Sequence, residues 1–247
     1  MVLELIVAAT VLVSLISLIG IVLVFLGKKR IDEILFFLIS FSTGTLLGAA
    51  LFDLLPEASK GIDISAALEL AFVGIIVAFV MEKIIHWHHH HAAREREHTH
   101  PLGMLTLVGD AFHNFFDGVA IAAAFLVNVP LGLTTTLAIA LHEIPQEIGD
   151  FGLLLFSGYT KKKALAFNFL SALAAVAGGV LFFFFSGAVL HMESYALAFT
   201  AGMFIYIASA DLLPEIHKEK RAKSSALQLF FLLLGAFAIW LIARTLE

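Results

Sequence analysis

Eight apolar runs of this 247-residue chain are each long enough to cross a bilayer, and together they leave almost no sequence for anything else. They cover roughly 3–26, 33–54, 64–86, 102–127, 131–156, 163–188, 194–213 and 225–246. A run of at least about 18 apolar residues can satisfy its own backbone inside hydrocarbon only as a helix. The expected fold is therefore an all-α integral membrane protein of eight transmembrane helices, with residues 1–247 as a single transmembrane domain. At 60% hydrophobic and 14% charged, the chain lacks the charge needed to coat a soluble domain of this size. No cleavable signal peptide is expected, because the first run is too long and its positive charges follow it. The absence of cysteine excludes disulfides and thiolate metal sites.

The basic residues alternate with the connections. Lys28, Lys29 and Arg30; Lys83, Arg94 and Arg96; Lys161, Lys162 and Lys163; and Lys218, Lys220, Arg221 and Lys223 fall on one side. Only Lys60 and Arg244 fall on the other, a split of thirteen to two. By the positive-inside rule the thirteen face the cytoplasm, and both termini lie outside. A cell-membrane location is the expectation.

Spans two and seven share a sequence. FSTGTLLGAALFDLLPEAS (41–59) and FTAGMFIYIASADLLPEIH (199–217) match at Phe41/Phe199, Gly44/Gly202, Asp53/Asp211 and the following Leu-Leu-Pro-Glu. Helices five spans apart run in opposite directions. The match thus predicts an inverted repeat of helices 1–3 against 6–8 around a central pair, a 3+2+3 arrangement common among transporters. A shared helix-end signal, with proline stopping each helix, is the alternative reading of D-L-L-P-E.

Spans four and five carry polar groups at mid-depth. The first holds His113, Asn114 and Asp117, the second His142, Glu143, Gln146 and Glu147, with Asp110 and Asp150 about one turn away. Ionisable groups there cost at least about 2.5–3.5 kcal/mol each on insertion scales, so they need one another or a cation. His113 and Asp117 are four residues apart on one helical face, as are His142 and Gln146; Asn114–Asp117 and Glu143–Gln146 are three apart. Pro145 should bend its helix and free the carbonyl of Leu141. Imidazole nitrogen with carboxylate and amide oxygen, and no sulfur, suits Zn2+, Fe2+, Mn2+ or Cd2+ better than Cu+. HEIPQE (142–147) opens like the zinc-protease motif H-E-x-x-H, but Gln146 replaces the second histidine and proline interrupts it, so an enzyme is not expected and no residue is assigned as catalytic. A site that must release its ion is served by weaker, mixed ligands. An intramembrane metalloenzyme and a membrane metal sensor are the competing classes. No nucleotide-binding motif, organic cofactor or nucleic-acid partner is indicated.

HNFFDGVAIA (from His113) and HEIPQEIGDF (from His142) resemble the ZIP family of divalent-metal transporters, in particular its branch with HNxxDG and HExPHExGD motifs. The resemblance covers the whole chain. It implies transport of zinc, or of iron, manganese or cadmium, into the cytoplasm through a paired site holding up to two ions. Carried over, His113, Asp117, His142 and Gln146 would form one metal position, and Asn114, Glu143 and Asn168 the second. This chain departs from the branch at Gln146, where histidine is usual.

Asp53, Asp110, Glu147, Asp150 and Asp211 are candidates to pass an ion along its path. The connection after span three, about 87–101, together with His86 just before it, gathers His86, His88, His89, His90, His91, His98 and His100, seven of eleven histidines, and could bind metal on the cytoplasmic side. The small-residue run SALAAVAGG (171–179) permits close helix packing, within the chain or in a homodimer.

Overall fold

A computed structural model describes the backbone of residues 1–21, 28–92 and 100–246, and their side chains except those of 28–33, 84–92, 100–102, 105, 156 and 246. The described residues are helical almost throughout and fall into eight rods. Helix α1 is Val2–Ile16, tightened by a 3-10 turn at Ser17–Ile19. Helix α2 starts as Lys28–Gly48 and runs on through Ala49–Leu54 and Leu55–Gly61; α3 is Ile64–Ala92, α4 His100–Val127 and α5 Val129–Phe156. Helix α6 is Lys161–Ala172 continued by Ala174–Phe185; α7 is Met192–Ile207 continued through Ala208–Leu212 to Leu213–His217; α8 is Ala222–Leu246. Seven of these eight are long and apolar enough to cross a membrane. The eighth, α5, spans 28 residues but carries Glu143, Glu147 and Asp150. The chain is an integral, multi-pass membrane protein, with eight helices among its described residues.

Local chemistry sets the joints. Asn128 is extended, and its side chain accepts from the N–H of Leu131 at 2.8 Å, so α4 turns into α5 across a single residue with Pro130 in the first turn. Thr160 caps α6 in the same way through Lys163 N–H. The expected connection 87–101 is helical at both ends, since α3 continues to Ala92 and α4 starts at His100. His98, and the side chains of His86, His88, His89, His90, His91 and His100, lie outside the described residues.

The prolines of the repeat do not stop their helices. Spans two and seven were expected to end near 54 and 213, yet the helices run on to Gly61 and His217. Each widens into a π-helical turn, at Ala49–Leu54 and at Ala208–Leu212. There Leu55 N–H donates to Ala50 O, and Leu213 N–H to Ala208 O, five residues back in both cases. Pro56 and Pro214 then fall in the first turn of a fresh α-helical segment, where a missing N–H costs nothing.

The glycines carry the inverted repeat into three dimensions. A Cβ on Gly44 of α2 would overlap the carbonyl of Leu232 in α8, and one on Gly235 of α8 would overlap that of Phe41. In the other half, Gly202 of α7 meets the carbonyl of Ala71 in α3, and Gly74 of α3 meets that of Phe199. The α2–α8 crossing and the α7–α3 crossing are therefore one contact made twice, with Phe41 and Phe199 as equivalent partners. Lipid tails offer no hydrophobic drive for helix pairing, so backbone approach at small residues supplies the packing. Gly118 of α4 and Gly178 of α6 approach the carbonyls of Ala175 and Phe115, which places the 171–179 small-residue run in a contact within the chain.

The apolar core is lopsided. A large buried cluster, including Leu46, Leu54, Ile121, Phe125, Ile139, Leu197 and Phe204, fills the half of the bundle away from the lysine-rich connections. In the other half, Phe151, Leu154 and Ala164 form a small cluster beside a cavity. Exposed apolar side chains such as Leu68, Phe72 and Phe79 on α3, and Phe230, Leu233 and Phe237 on α8, form the surface presented to lipid.

Candidate metal centre

Helices α4 and α5 pack side by side because a one-residue connection leaves them no other course. Four side chains converge between them. His113 Nε2 and His142 Nε2 lie 3.2 Å apart. His142 Nε2 is 3.3 Å from Asp117 Oδ2 and 3.4 Å from Glu143 Oε1. His113 Nε2 is 3.3 Å from Glu143 Oε1 and 3.7 Å from Asp117 Oδ2. One ligand atom from each of His113, Asp117, His142 and Glu143 lies within 4.8 Å of the others, and all but His113 are buried. Two imidazole nitrogens and two carboxylate oxygens at this separation form a closed set of donors for one small divalent cation.

The spacing along α5 pairs His142 with Gln146, and Glu143 also reaches this group. Gln146 lies one turn further along, where its amide nitrogen is 3.4 Å from Asp110 Oδ1. Asp110 is a hub: Asn114 donates to Oδ1 at 2.9 Å and Ser171 to Oδ2 at 2.5 Å. Asn168 of α6 donates its amide to Glu147 Oε2. Asp110, Glu143 and Glu147 form a second group of converging carboxylates. Asn114 and Asn168 thus turn their N–H groups toward carboxylates.

Two participating residues carry no advance signal in the motifs. The carbonyl of Leu141, which Pro145 leaves without an intrahelical donor, accepts from the Ser42 hydroxyl of α2 at 2.7 Å. The proline announces that a donor is required, and only packing shows which one. Ser171 sits three residues after Asn168 on α6 and so faces the same cluster.

A cavity of about 540 Å³ reaches this site. Asp110, His113, His142, Gln146 and Asp150 line its inner part, and Glu82, Asp211 and Glu215 its mouth. Glu82 and Glu215 lie near the lysine- and arginine-rich connections, so among the described residues the cavity extends toward that face, and the large apolar cluster lies on the other side of the site. The two repeat aspartates accordingly differ. Asp211 is exposed in the cavity, whereas Asp53, its counterpart on α2, is buried and does not line it. Tyr206 donates its hydroxyl to Glu82, joining α7 to α3 at the mouth.

Comparison with known proteins points the same way. Residues 3–103 and 98–243 match the family model described as ZIP Zinc transporter. The chain is 40% identical over 143 residues to "Zinc transporter zipt-7.2" of Caenorhabditis elegans, covering 56% of this chain and 31% of that one. It is 40% identical over 149 residues to "Zinc transporter SLC39A7" of Homo sapiens, covering 58% and 32%. It is 47% identical over 136 residues to "IAA-alanine resistance protein 1" of Arabidopsis thaliana, covering 54% and 29%. The matched region is therefore no more than about a third of the length of these curated relatives.

Proposed function

Because the chain belongs to the ZIP zinc transporter family, we propose that it carries a divalent metal ion, zinc foremost, across the bilayer into the cytoplasm. The observation that carries this reading is the buried convergence of His113, Asp117, His142 and Glu143 at a cavity whose lining, among the described residues, extends toward the lysine- and arginine-rich connections. A site reached from one side at a time is what alternating access requires of a transporter built on an inverted repeat. His113, Asp117, His142 and Glu143 bind the ion. Asn114, Gln146 and Asn168 hold the carboxylates beside it through their amide N–H groups. Iron, manganese and cadmium fit the same donor set. Binding requires each imidazole to be deprotonated, so uptake should weaken in acid. The protein is read as a transporter and not an enzyme, in keeping with the transporter family it belongs to.

The test is metal flux. Purified protein in proteoliposomes loaded with a zinc-sensitive dye should accumulate zinc well above empty vesicles. Zinc bound firmly with no flux would instead fit a metalloenzyme or a sensor.

Orientation follows from the charge split. With the lysine-rich connections cytoplasmic, both termini lie outside. A cysteine introduced at position 2 should react with an impermeant maleimide added to intact cells. One introduced within 161–163 should react only after the membrane is opened. Labelling of both in intact cells would overturn this topology.

A further inference from the structure

Ser42 of α2 does not behave like the hydroxyl residues beside it. Ser40 and Thr43 donate to carbonyls four residues back in their own helix, Phe36 O at 3.1 Å and Ile39 O at 2.7 Å. That local bond is the ordinary partner of a buried hydroxyl on a helix. Ser42, fully buried, instead reaches across to α5 and donates to Leu141 O at 2.7 Å. Leu141 stands four residues before Pro145, so its carbonyl receives no N–H from position 145. A side chain from another helix replaces the donor that proline removes.

The consequence lies in what that carbonyl is joined to. Leu141 C=O and His142 N–H belong to one planar peptide unit, so a donor that holds the first also holds the backbone from which His142 projects. His142 sits at the centre of the four-ligand group. Its Nε2 is 3.2 Å from His113 Nε2, 3.3 Å from Asp117 Oδ2 and 3.4 Å from Glu143 Oε1. Its other ring nitrogen, Nδ1, is 3.2 Å from Ala138 O. An Nδ1–H donated to that carbonyl leaves the Nε2 lone pair for the metal. The ring is thus held through Ala138 O and its peptide through Ser42. Proline loosens the turn of α5 that follows, and a metal site tolerates only about 0.5 Å of play in its ligands.

We propose that Ser42 is a positioning residue for the metal: its hydroxyl makes the hydrogen bond that Pro145 cannot, and so sets the place of His142 and the zinc affinity of the four-ligand group. Helix α2 contributes no side chain to that group, and Ser42 lies outside both motifs of α4 and α5. This assignment rests on the transporter reading and deepens it, since it gives α2 a share in metal affinity without contact with the ion.

Zinc affinity of the purified full chain, measured by competition with a chromophoric chelator, tests it together with zinc flux in proteoliposomes. Ser42→Ala should weaken zinc binding about 10–100-fold, the loss expected for a residue that supports a metal ligand. The zinc concentration giving half-maximal flux should rise by a similar factor, while flux at saturating zinc changes far less. Pro145→Ala supplies the sharper comparison, because it puts an N–H back at position 145 for Leu141 O. In that background Ser42→Ala should have little further effect on zinc affinity, since the helix now provides its own donor. A bond that merely fastens α2 to α5 would lower the melting temperature and leave zinc affinity unchanged, and that result would overturn the proposal. An equal loss of affinity in both backgrounds would overturn it too. If Ser42→Ala does not fold, Ser42→Cys, a weaker donor of similar size, should show an intermediate affinity, and wild-type affinity there would count against the proposal. Wild-type affinity in Ser42→Ala beside lost binding in Asp117→Ala would sink the role of Ser42 and leave the transporter reading standing. If the wild-type chain binds no zinc, both fall.

Discussion

Asp117→Ala should reduce metal flux to that of empty liposomes while leaving folded protein in the membrane. The Asp117 carboxylate faces both imidazoles, 3.3 Å from His142 Nε2 and 3.7 Å from His113 Nε2. Its removal takes away a ligand and half of the negative charge of the four-ligand group. Loss of a supporting residue around a metal costs about 10–100-fold in affinity or activity, and loss of a ligand should exceed that. Asp117→Asn is the sharper comparison, because it keeps the volume and one oxygen but removes the charge. Flux should fall nearly as far, since two imidazoles and Glu143 alone leave a divalent ion undercompensated. His113→Ala should behave like Asp117→Ala. Zinc flux measured over a range of concentrations settles the matter. Either alanine variant transporting at the wild-type rate throughout would show that the four-ligand group is not on the ion's path.

The second large effect concerns the fold. Gly44→Val and Gly202→Val should each destabilise the protein strongly, and to a similar degree. At Gly202 an added Cβ lies 2.8 Å from the Ala71 Cα and overlaps the Ala71 carbonyl. At Gly44 it lies 2.8 Å from the Leu232 carbonyl carbon and 2.9 Å from the Ala236 nitrogen. These obstacles are backbone, so no rotamer change relieves them, and whole helices must separate. Overpacking costs about 1–3 kcal/mol where side chains can yield, and more is expected where they cannot. Thermal unfolding in detergent, followed by loss of the monodisperse peak, should show both variants melting well below wild type. Gly149, with nothing within 4 Å of an added Cβ, serves as the control and should tolerate alanine. If Gly202→Val melted like wild type while Gly44→Val did not, the two crossings would not be equivalent.

Much of this molecule is written along one dimension. Hydrophobic length and the alternation of basic connections define eight spans, because a helix in lipid has to satisfy its backbone internally and loop charge resists crossing. The identity of residues 41–59 with 199–217 at a few positions already carries the inverted repeat, since Gly44 and Gly202 permit the same close crossing in both halves. The midspan histidines and acids of α4 and α5 were legible as a candidate metal site because polar groups in hydrocarbon require partners. The proline at 145 announced a carbonyl in need of a donor.

Other features were decided only when the helices met. A helical wheel drawn for α5 alone pairs His142 with Gln146, but only the crossing of α4 shows that both His142 and Glu143 reach His113, while the Gln146 amide nitrogen lies 3.4 Å from Asp110 Oδ1. Ser42 and Ser171 join the site from helices far away in sequence, and a lone serine carries no periodic signal. Asp53 and Asp211 are interchangeable in the repeat, yet one is buried and the other faces the cavity. A sequence repeat is symmetric, whereas a cavity open to one side of a membrane breaks that symmetry. Which half is packed shut and which is open is a property of side chains converging from separate helices, and it exists only in the assembled bundle.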